Sequence, residues 1–576
     1  MSELQKTLEK MPMDAAFVPD PGIELGLESI AAQVEADNVE VSSAQAASHH
    51  EAAHHHHDVA VTVGRNTLWG MVARFAQVST RLITIPIVIA HLGLGGYGIW
   101  AIIMTTAAYM RFGSVGIKSA FQKYVAEATG NGDFKTANKL LSTGCAAMLV
   151  LSVAVLIPVA WFSTALARAA GVPPEFLHAA AKSTSVLALI MVMSNVGAVY
   201  EAIVMGGHRI DLTRNFATFF TVAEAVAIVV LLHFGHGLFA MAMVMALSEV
   251  GFVFCCYVAS KRILPQVRVS RELVTRSVAG ELFRFAGSYQ LVNVLEVLYV
   301  SILPIAILRM FGPDSSGVYA LASRLVMSAA MLSEAFLVPI LSGGAMVHAS
   351  GSAEEMARLI TKSFKISLGL SLFPLSFIAA FGPTLVYVWT GEVNASFRAG
   401  LLLVCFAGLF QVFSVLGLVL YRVSGKALLD NIRQGLRIVI LLSIVGFAHT
   451  LGFFGVLAGL AVTEFLGMVF MMFAVARTFP SFHLKSLLPD GLKLAAATSL
   501  VLLAGAAATR IPLPAIANAR MLAVASLGTV LAACALAAWP ALRLTKSLTE
   551  KERHAFMRIF NPRAARTGAP CVDSVS

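Results

Sequence analysis

Residues 66–118, "NTLWGMVARFAQVSTRLITIPIVIAHLGLGGYGIWAIIMTTAAYMRFGSVGIK", decide how the chain is read. The run 66–92 is as long and apolar as a bilayer-crossing helix requires, roughly 20 residues. It ends in a Gly-rich turn, 93–96, that holds no Lys or Arg, and a second apolar run, 97–118, follows at once. Next comes the polar, Lys-bearing "FQKYVAEATGNGDFKTANKLLSTG". The reading is a transmembrane hairpin with a bare outer turn and a basic inner loop. Arg74 and Arg81 lie within the first run, and a charge at membrane depth needs a partner or a task.

Composition extends this reading to the whole chain. Hydrophobic residues make up 58% and charged residues 13%, with a mean hydropathy of +0.79, whereas soluble domains carry about 25% charged residues. The fold class is therefore an all-α polytopic membrane protein. The net charge of +10 does not point to nucleic acid, because the basic residues are spread between bilayer-length apolar runs rather than gathered in one patch. Cys145, Cys255, Cys256, Cys405 and Cys534 sit in apolar runs and Cys571 in a polar tail, so neither a disulfide framework nor a metal site is read.

Residues 1–63 form an acidic tail with 11 acids, two lysines and His49, His50, His54, His55, His56 and His57. Its composition predicts disorder. It lacks the basic start, apolar centre and cleavage site of a secretory signal, so the first membrane helix is expected to direct insertion.

Apolar runs recur at 66–92, 97–118, 141–163, 183–206, 215–234, 237–260, 284–310, 317–341, 363–381, 399–421, 432–451, 455–477, 492–508 and 521–541. They predict about fourteen helices. Loops on one side, with the C-terminal tail, hold 29 Lys and Arg; those on the other hold six, namely Arg168, Lys182, Arg309, Arg398, Arg510 and Arg520. The turns 93–96, 235–236 and 452–454 hold none. The positive-inside rule then places both termini in the cytoplasm.

An internal repeat sets the architecture. "IPIVIAHLGLGGYGIWAI" from Ile85 is echoed by "LPIAILRMFGPDSSGVYAL" from Leu303, and "GHRIDLTRN" from Gly207 by "GKALLDNIR" from Gly425, 218 residues on in both cases. Glu249 in "ALSEVGFVF" recurs as Glu464 in "AVTEFLGMVF". Both units begin inside, so they predict two parallel six-helix lobes, 64–260 and 261–480. Two further helices, 481–541, and a basic cytoplasmic tail, 542–576, follow.

The proline-bearing first helix, the turn "GLGGYG", "GIKSAFQKYVAEATGNGDFKTANKLLSTG" after the second helix and the twelve-plus-two layout resemble the polysaccharide (oligosaccharide) flippases of the MATE-like exporter superfamily. The resemblance is strongest over 66–144. It implies a multi-pass protein of the cell inner membrane that turns an undecaprenyl-pyrophosphate-linked oligosaccharide repeat unit to the outer leaflet for exopolysaccharide, O-antigen or capsule synthesis. By that resemblance it acts by ion-coupled alternating access without a cofactor, alongside polysaccharide polymerase and export proteins. Where the family often has an acid two places before the glycine matched to Gly116, this chain has Ser114, with Arg111 nearby.

The polar residues within the helices fit such a cargo. A pyrophosphate is best held by arginine forks. Arg74, Gln77 and Arg81, with Asn66 and Thr84, fall within an arc of about 80° on the first helix, one face that can line a cavity. Arg111 and Arg324 are further candidates. Of the acids inside helices, Glu201, Glu224, Glu249, Glu296, Glu334 and Glu464, the pair Glu249 and Glu464 reads as a structural repeat. Glu296, in a polar stripe with Gln290 and Asn293, is the leading candidate for ion coupling, with Glu224 beside it. Pro86 and Pro304 are candidate hinges.

Three other readings remain. A peptidoglycan-precursor flippase shares the cationic logic. A MATE-type cation or drug antiporter favours acids and aromatics in its cavity. A membrane glycan polymerase or ligase needs a large outer loop, and the longest outer connection is 164–182, so the chain reads as a non-enzyme.

Overall fold

The computed structural model describes residues 83–105, 131–207, 209–334, 353–391, 396–423, 427–512 and 518–547, with Thr80, Phe121, Val125 and Val393 besides, and over 276–294 the backbone alone. Every regular element among them is helical: α1 (Ile83–Thr105), then α2 (Phe134–Trp161), the short α3 (Ser163–Ala169), α4 (Pro174–Gly206), α5 (Ile210–His233), α6 (Leu238–Ile263) and α7 (Arg276–Glu334). α8 (Ala353–Thr390), α9 (Phe397–Val423), α10 (Ala427–Gly446), α11 (Ala448–Thr478), α12 (Leu487–Ala508) and α13 (Ala519–Leu544) complete them. Eleven helical segments among the described residues are long and apolar enough to cross a membrane. The protein is a multi-pass membrane protein. Its outward apolar side chains, such as Trp161 and Leu536, suit lipid, where a helix satisfies its own backbone and needs no polar face.

Local chemistry sets the helix ends. The Asp133 side chain accepts from the Thr136 amide at the start of α2, and these Thr136 hydrogen bonds hold its carboxyl below the ordinary value. Pro174 occupies the first turn of α4, and Asn518 caps α13. These signals lie outside the apolar runs, so α2 and α4 begin earlier than 141 and 183. For the same reason α8 is longer than 363–381, running through Pro374 and Pro383. α10 begins at Ala427, not 432, and Arg433 is buried within the helix.

Three helices turn back with almost no loop. α1 bends at Gly93 (φ 72°), α7 at Gly312 (φ 83°, ψ 177°) and α11 at Gly452 (φ 66°, ψ 178°). A residue with a Cβ disfavours these left-handed values, so glycine permits the bend. The repeat offset of 218 residues brings Gly93 to within one position of Gly312.

The two related turns pack on each other. A Cβ at Gly98 would lie 2.5 Å from the Gly317 amide nitrogen and 2.7 Å from the Pro313 carbonyl oxygen. Backbone therefore meets backbone, and no side chain fits between. Beside this contact the Arg309 guanidinium donates to the Ala169 carbonyl at 2.6 Å. At the other end of α7, the segment between α6 and α7 is fastened to α2. Asn138 donates to the Gln266 carbonyl at 3.0 Å and accepts from the Arg268 amide at 2.9 Å. Ser142 and Thr143 accept from the Ser270 and Thr275 amides. One large apolar core joins α1, α4, α6, α7, α9, α10 and α11. α12 and α13 form a separate core with α8, and Arg520 donates to the Val388 and Trp389 carbonyls at the end of α8.

The turn contact is directly testable. A Cβ at Gly95 would stand 3.2 Å from the Pro313 Cβ, close to the separation that a disulfide spans. Gly95→Cys with Pro313→Cys, in a background lacking the native cysteines, is expected to cross-link on mild oxidation. Adding Gly98→Val should suppress the cross-link by forcing the turns apart; equal yield with and without that change would refute the backbone contact.

Candidate functional site

Among the described residues, the buried charged side chains are Asp430, Arg433 and Arg437 on α10 and Glu464 on α11. Asp430, Arg433, Gln434 and Arg437 follow the i, i+3, i+4, i+7 spacing of a helix face. All four are buried, although α10 lies in a membrane protein. Each charge is met locally. Arg433 donates to Asp430 at 2.9 Å, one turn away. Arg437, 1% exposed, is the largest fully buried side chain among the described residues.

Three helices build the setting of Arg437. Its Nη1 donates to Gln434 Oε1 at 2.7 Å on α10 itself. Nη2 donates to Glu464 Oε1 on α11. From α7, the Tyr299 hydroxyl donates to the same Glu464 oxygen at 2.6 Å, and the Tyr299 ring lies 3.8 Å from the guanidinium carbon. Glu296, one helical turn before Tyr299, places Oε2 3.7 Å from Arg437 Nη1. Tyr319, also on α7, lies within electrostatic reach of Glu464. Arg437 Nε and Glu464 Oε2 are buried without hydrogen-bond partners. Arg437 stands about 15 Å of helix from either end of α10 at 1.5 Å per residue. A guanidinium there holds because carboxylate, amide oxygen and aromatic face replace water together.

Of the residues singled out from sequence, Arg74, Gln77, Arg81 and Arg111 lie outside the described residues. Arg324 is half-buried on α7 beyond Gly312, within electrostatic reach of Tyr97 on α1. No described carboxylate lies within ion-pair distance of it. Glu296 belongs to the Arg437 cluster, while the side chain of Asn293 is not among those described. Glu224 is on α5, which packs on α4 and α6. Pro86 and Pro304 lie within helices, and the helical backbone runs through Pro304, with the break of α7 at Gly312 instead. Glu464 belongs to the Arg437 cluster, and Glu249 lies on α6. The 218-residue offset sets Phe219, 65% exposed, where Arg437 has its counterpart.

Sequence reasoning passed over Arg437, Gln434, Asp430 and Tyr299. The signal was present in the helical spacing of Asp430, Arg433, Gln434 and Arg437. It was lost because the helix was begun at 432, which assigned its first charges to a loop.

Residues 71–225 match the MatE family model. The uncharacterized membrane protein EpsK of Bacillus subtilis (strain 168) is 21% identical over 393 residues, 65% of this chain and 75% of that protein. The lipid II flippase MurJ in an inward closed conformation superposes with a TM-score of 0.62 at 12% identity, covering 83% of this chain and 99% of that one. An inward-facing multidrug resistance MATE family transporter of the MOP superfamily superposes with a TM-score of 0.56 at 17% identity, over 71% and 95% of the two chains. The expected MATE-like fold is the fold found.

Removing one member of the cluster strands the others. Glu464→Ala is expected to destabilise the protein by about 3–5 kcal/mol by leaving a buried guanidinium unpaired. Glu464→Leu combined with Arg437→Met should recover most of that loss. Thermal unfolding of the purified variants checks this, and a double variant as unstable as the sum of the singles would contradict the pairing.

Proposed function

From this MATE-like fold and the MatE match as premise, we propose that the chain is a flippase for an undecaprenyl-pyrophosphate-linked oligosaccharide repeat unit in polysaccharide biosynthesis. It works at the cell inner membrane by alternating access, with polysaccharide polymerase and export proteins as its neighbours in the process. The observation that carries the choice of an anionic cargo is Arg324, a half-buried cation at membrane depth, at the meeting of α1 and α7, with no described acid to neutralise it. A diphosphate would supply the missing charge, and a guanidinium fork suits it. Arg74, Gln77 and Arg81 on the first helix, with Arg111, would extend the same cationic surface.

Alternating access is supported by the turn contact. Two repeat-related turns that meet backbone to backbone form a seal at one end, and the charge bias of the loops makes that end the periplasmic one. The reading keeps fourteen spans with both termini cytoplasmic; breaks in α1 at Gly93 and in α7 at Gly312 are compatible with it. A peptidoglycan-precursor flippase is the nearest competitor, favoured by the MurJ-like superposition. A cation antiporter is disfavoured by the arginines, and a polymerase or ligase by the short connections.

A deletion strain is expected to accumulate the lipid-linked repeat unit in the inner leaflet, with the peptidoglycan precursor unaffected. Charge-assisted hydrogen bonds contribute on the order of 1.5–3 kcal/mol, so Arg81→Ala should slow export about tenfold or more at normal protein abundance. Arg81→Lys should fall between it and the wild type. Accumulation of the peptidoglycan precursor instead would select the competitor. Reduced abundance of Arg81→Ala, rescued by removing a Glu, would make that arginine structural.

A further inference from the structure

The segment 264–275, which joins α6 to α7, is built into the protein rather than left as a loose loop. Leu264 and Val267 are buried in an apolar cluster with Leu141 of α2 and Val199, Ala202 and Ile203 of α4. The Asn138 side chain holds both the Gln266 carbonyl and the Arg268 amide, and the Ser142 and Thr143 hydroxyls accept from the Ser270 and Thr275 amides at 3.0 Å each. Side chains of α2 thus satisfy backbone groups that no regular element pairs. With Leu264 and Val267 turned inward, Arg268 and Arg271 are left exposed.

Exposed cations gather around this segment. Lys261 and Arg262 end α6, Arg268 and Arg271 lie on the segment itself, and Lys135 and Lys139 stand one helical turn apart on α2, beside Asn138. Against these six cations stand two exposed acids, Asp133 and Glu272, and Asp133 already accepts from the Thr136 amide. No described residue forms an ion pair with any of the six. Counting back from Trp161 at the far end of α2 by about 20 residues, the length that crosses the hydrocarbon core, reaches about residue 141. Lys135 and Lys139 therefore lie just outside the apolar layer, at headgroup level. Tyr257, one turn before Lys261, is exposed with the Lys261 ammonium 5.9 Å from its ring centre, a pairing suited to a helix leaving a bilayer. Val274, also exposed, adds an apolar group to the same segment. A soluble polyanion gains nothing from Tyr257 and Val274, whereas a phospholipid meets cations and apolar groups at one level.

We infer that the segment joining α6 to α7, together with the first turns of α2, is a docking site for the headgroups of anionic phospholipids. Arg268 and Arg271 supply guanidinium forks for lipid phosphates, and Lys135, Lys139, Lys261 and Arg262 supply point charges around them. The four hydrogen bonds from α2 keep the two arginines beside the two lysines, so the charges act on one small area of membrane. That area lies at the end of the bundle that the charge bias of the loops marks as cytoplasmic. The segment joins the two repeat units, so lipids held there brace the junction between them. The inference concerns the lipid around the protein and stands apart from what the protein carries.

Native mass spectrometry of the purified full-length protein, released from mixed micelles with equal amounts of phosphatidylglycerol and phosphatidylcholine, tests it. The expected result is retention of phosphatidylglycerol over phosphatidylcholine. A cation near an anionic membrane surface contributes roughly fivefold, so Arg268→Gln with Arg271→Gln should lower that retention about twentyfold. Lys485→Gln with Lys493→Gln, just before and within α12, removes the same charge from the same side and should leave retention unchanged. Asn138→Ala keeps every cation but frees the segment from α2, and should weaken retention several-fold. Thermal unfolding in phosphatidylcholine alone checks that each variant folds. No preference for phosphatidylglycerol in the wild type, equal loss in the arginine and lysine pairs, or full retention in Asn138→Ala would each overturn the inference. So would undecaprenyl diphosphate held in place of phosphatidylglycerol and lost with the same arginine pair, which would assign the surface to a cargo lipid.

Discussion

One buried guanidinium ties together three helices. Arg437 on α10 meets Glu464 on α11, and Tyr299 and Glu296 on α7. In a bilayer the apolar faces of these helices gain little from leaving lipid for one another, so polar contacts and close packing must hold them in register. The cost of an unpaired ion there enforces the arrangement more strictly than the small net value of the pair would suggest. α7 in turn reaches the turn at Gly312, so the ionic cluster and the backbone seal are parts of one helix.

The repeat produces resemblance between the halves without making them equal. Gly93 and Gly312 both allow a loopless reversal, and their helices meet through Gly98 and Gly317. At the 218-residue offset Phe219, and not an arginine, stands where Arg437 does in the other half. Arg324 and Glu296 both lie on α7, on either side of its break at Gly312.

Much of the fold was legible because bilayer-spanning helices announce themselves by length and hydropathy, and glycine turns by composition. The turns at 93–96 and 452–454 were read from the absence of charge, and each contains a glycine with positive φ. Helix ends were less legible. Caps such as Asp133 and Asn518 are polar and lie beyond the apolar run. The cluster around Arg437 was hidden by the same logic in reverse: its charges lowered the hydropathy of α10, so the beginning of a helix read as loop. Glu296 was visible as an acid in an apolar run, but its partner lies 141 positions later, and no local pattern links the two.

The most direct measurement is leaflet transfer in purified vesicles. Undecaprenyl-pyrophosphate-linked oligosaccharide, placed in one leaflet of vesicles containing the protein, is followed by its exposure to a membrane-impermeant glycosidase on the other side. The account predicts exposure that depends on the protein and is lost when Arg74 and Arg81 are both replaced by alanine. Exposure no faster than in protein-free vesicles, from protein that exports a cationic dye under the same conditions, would contradict it.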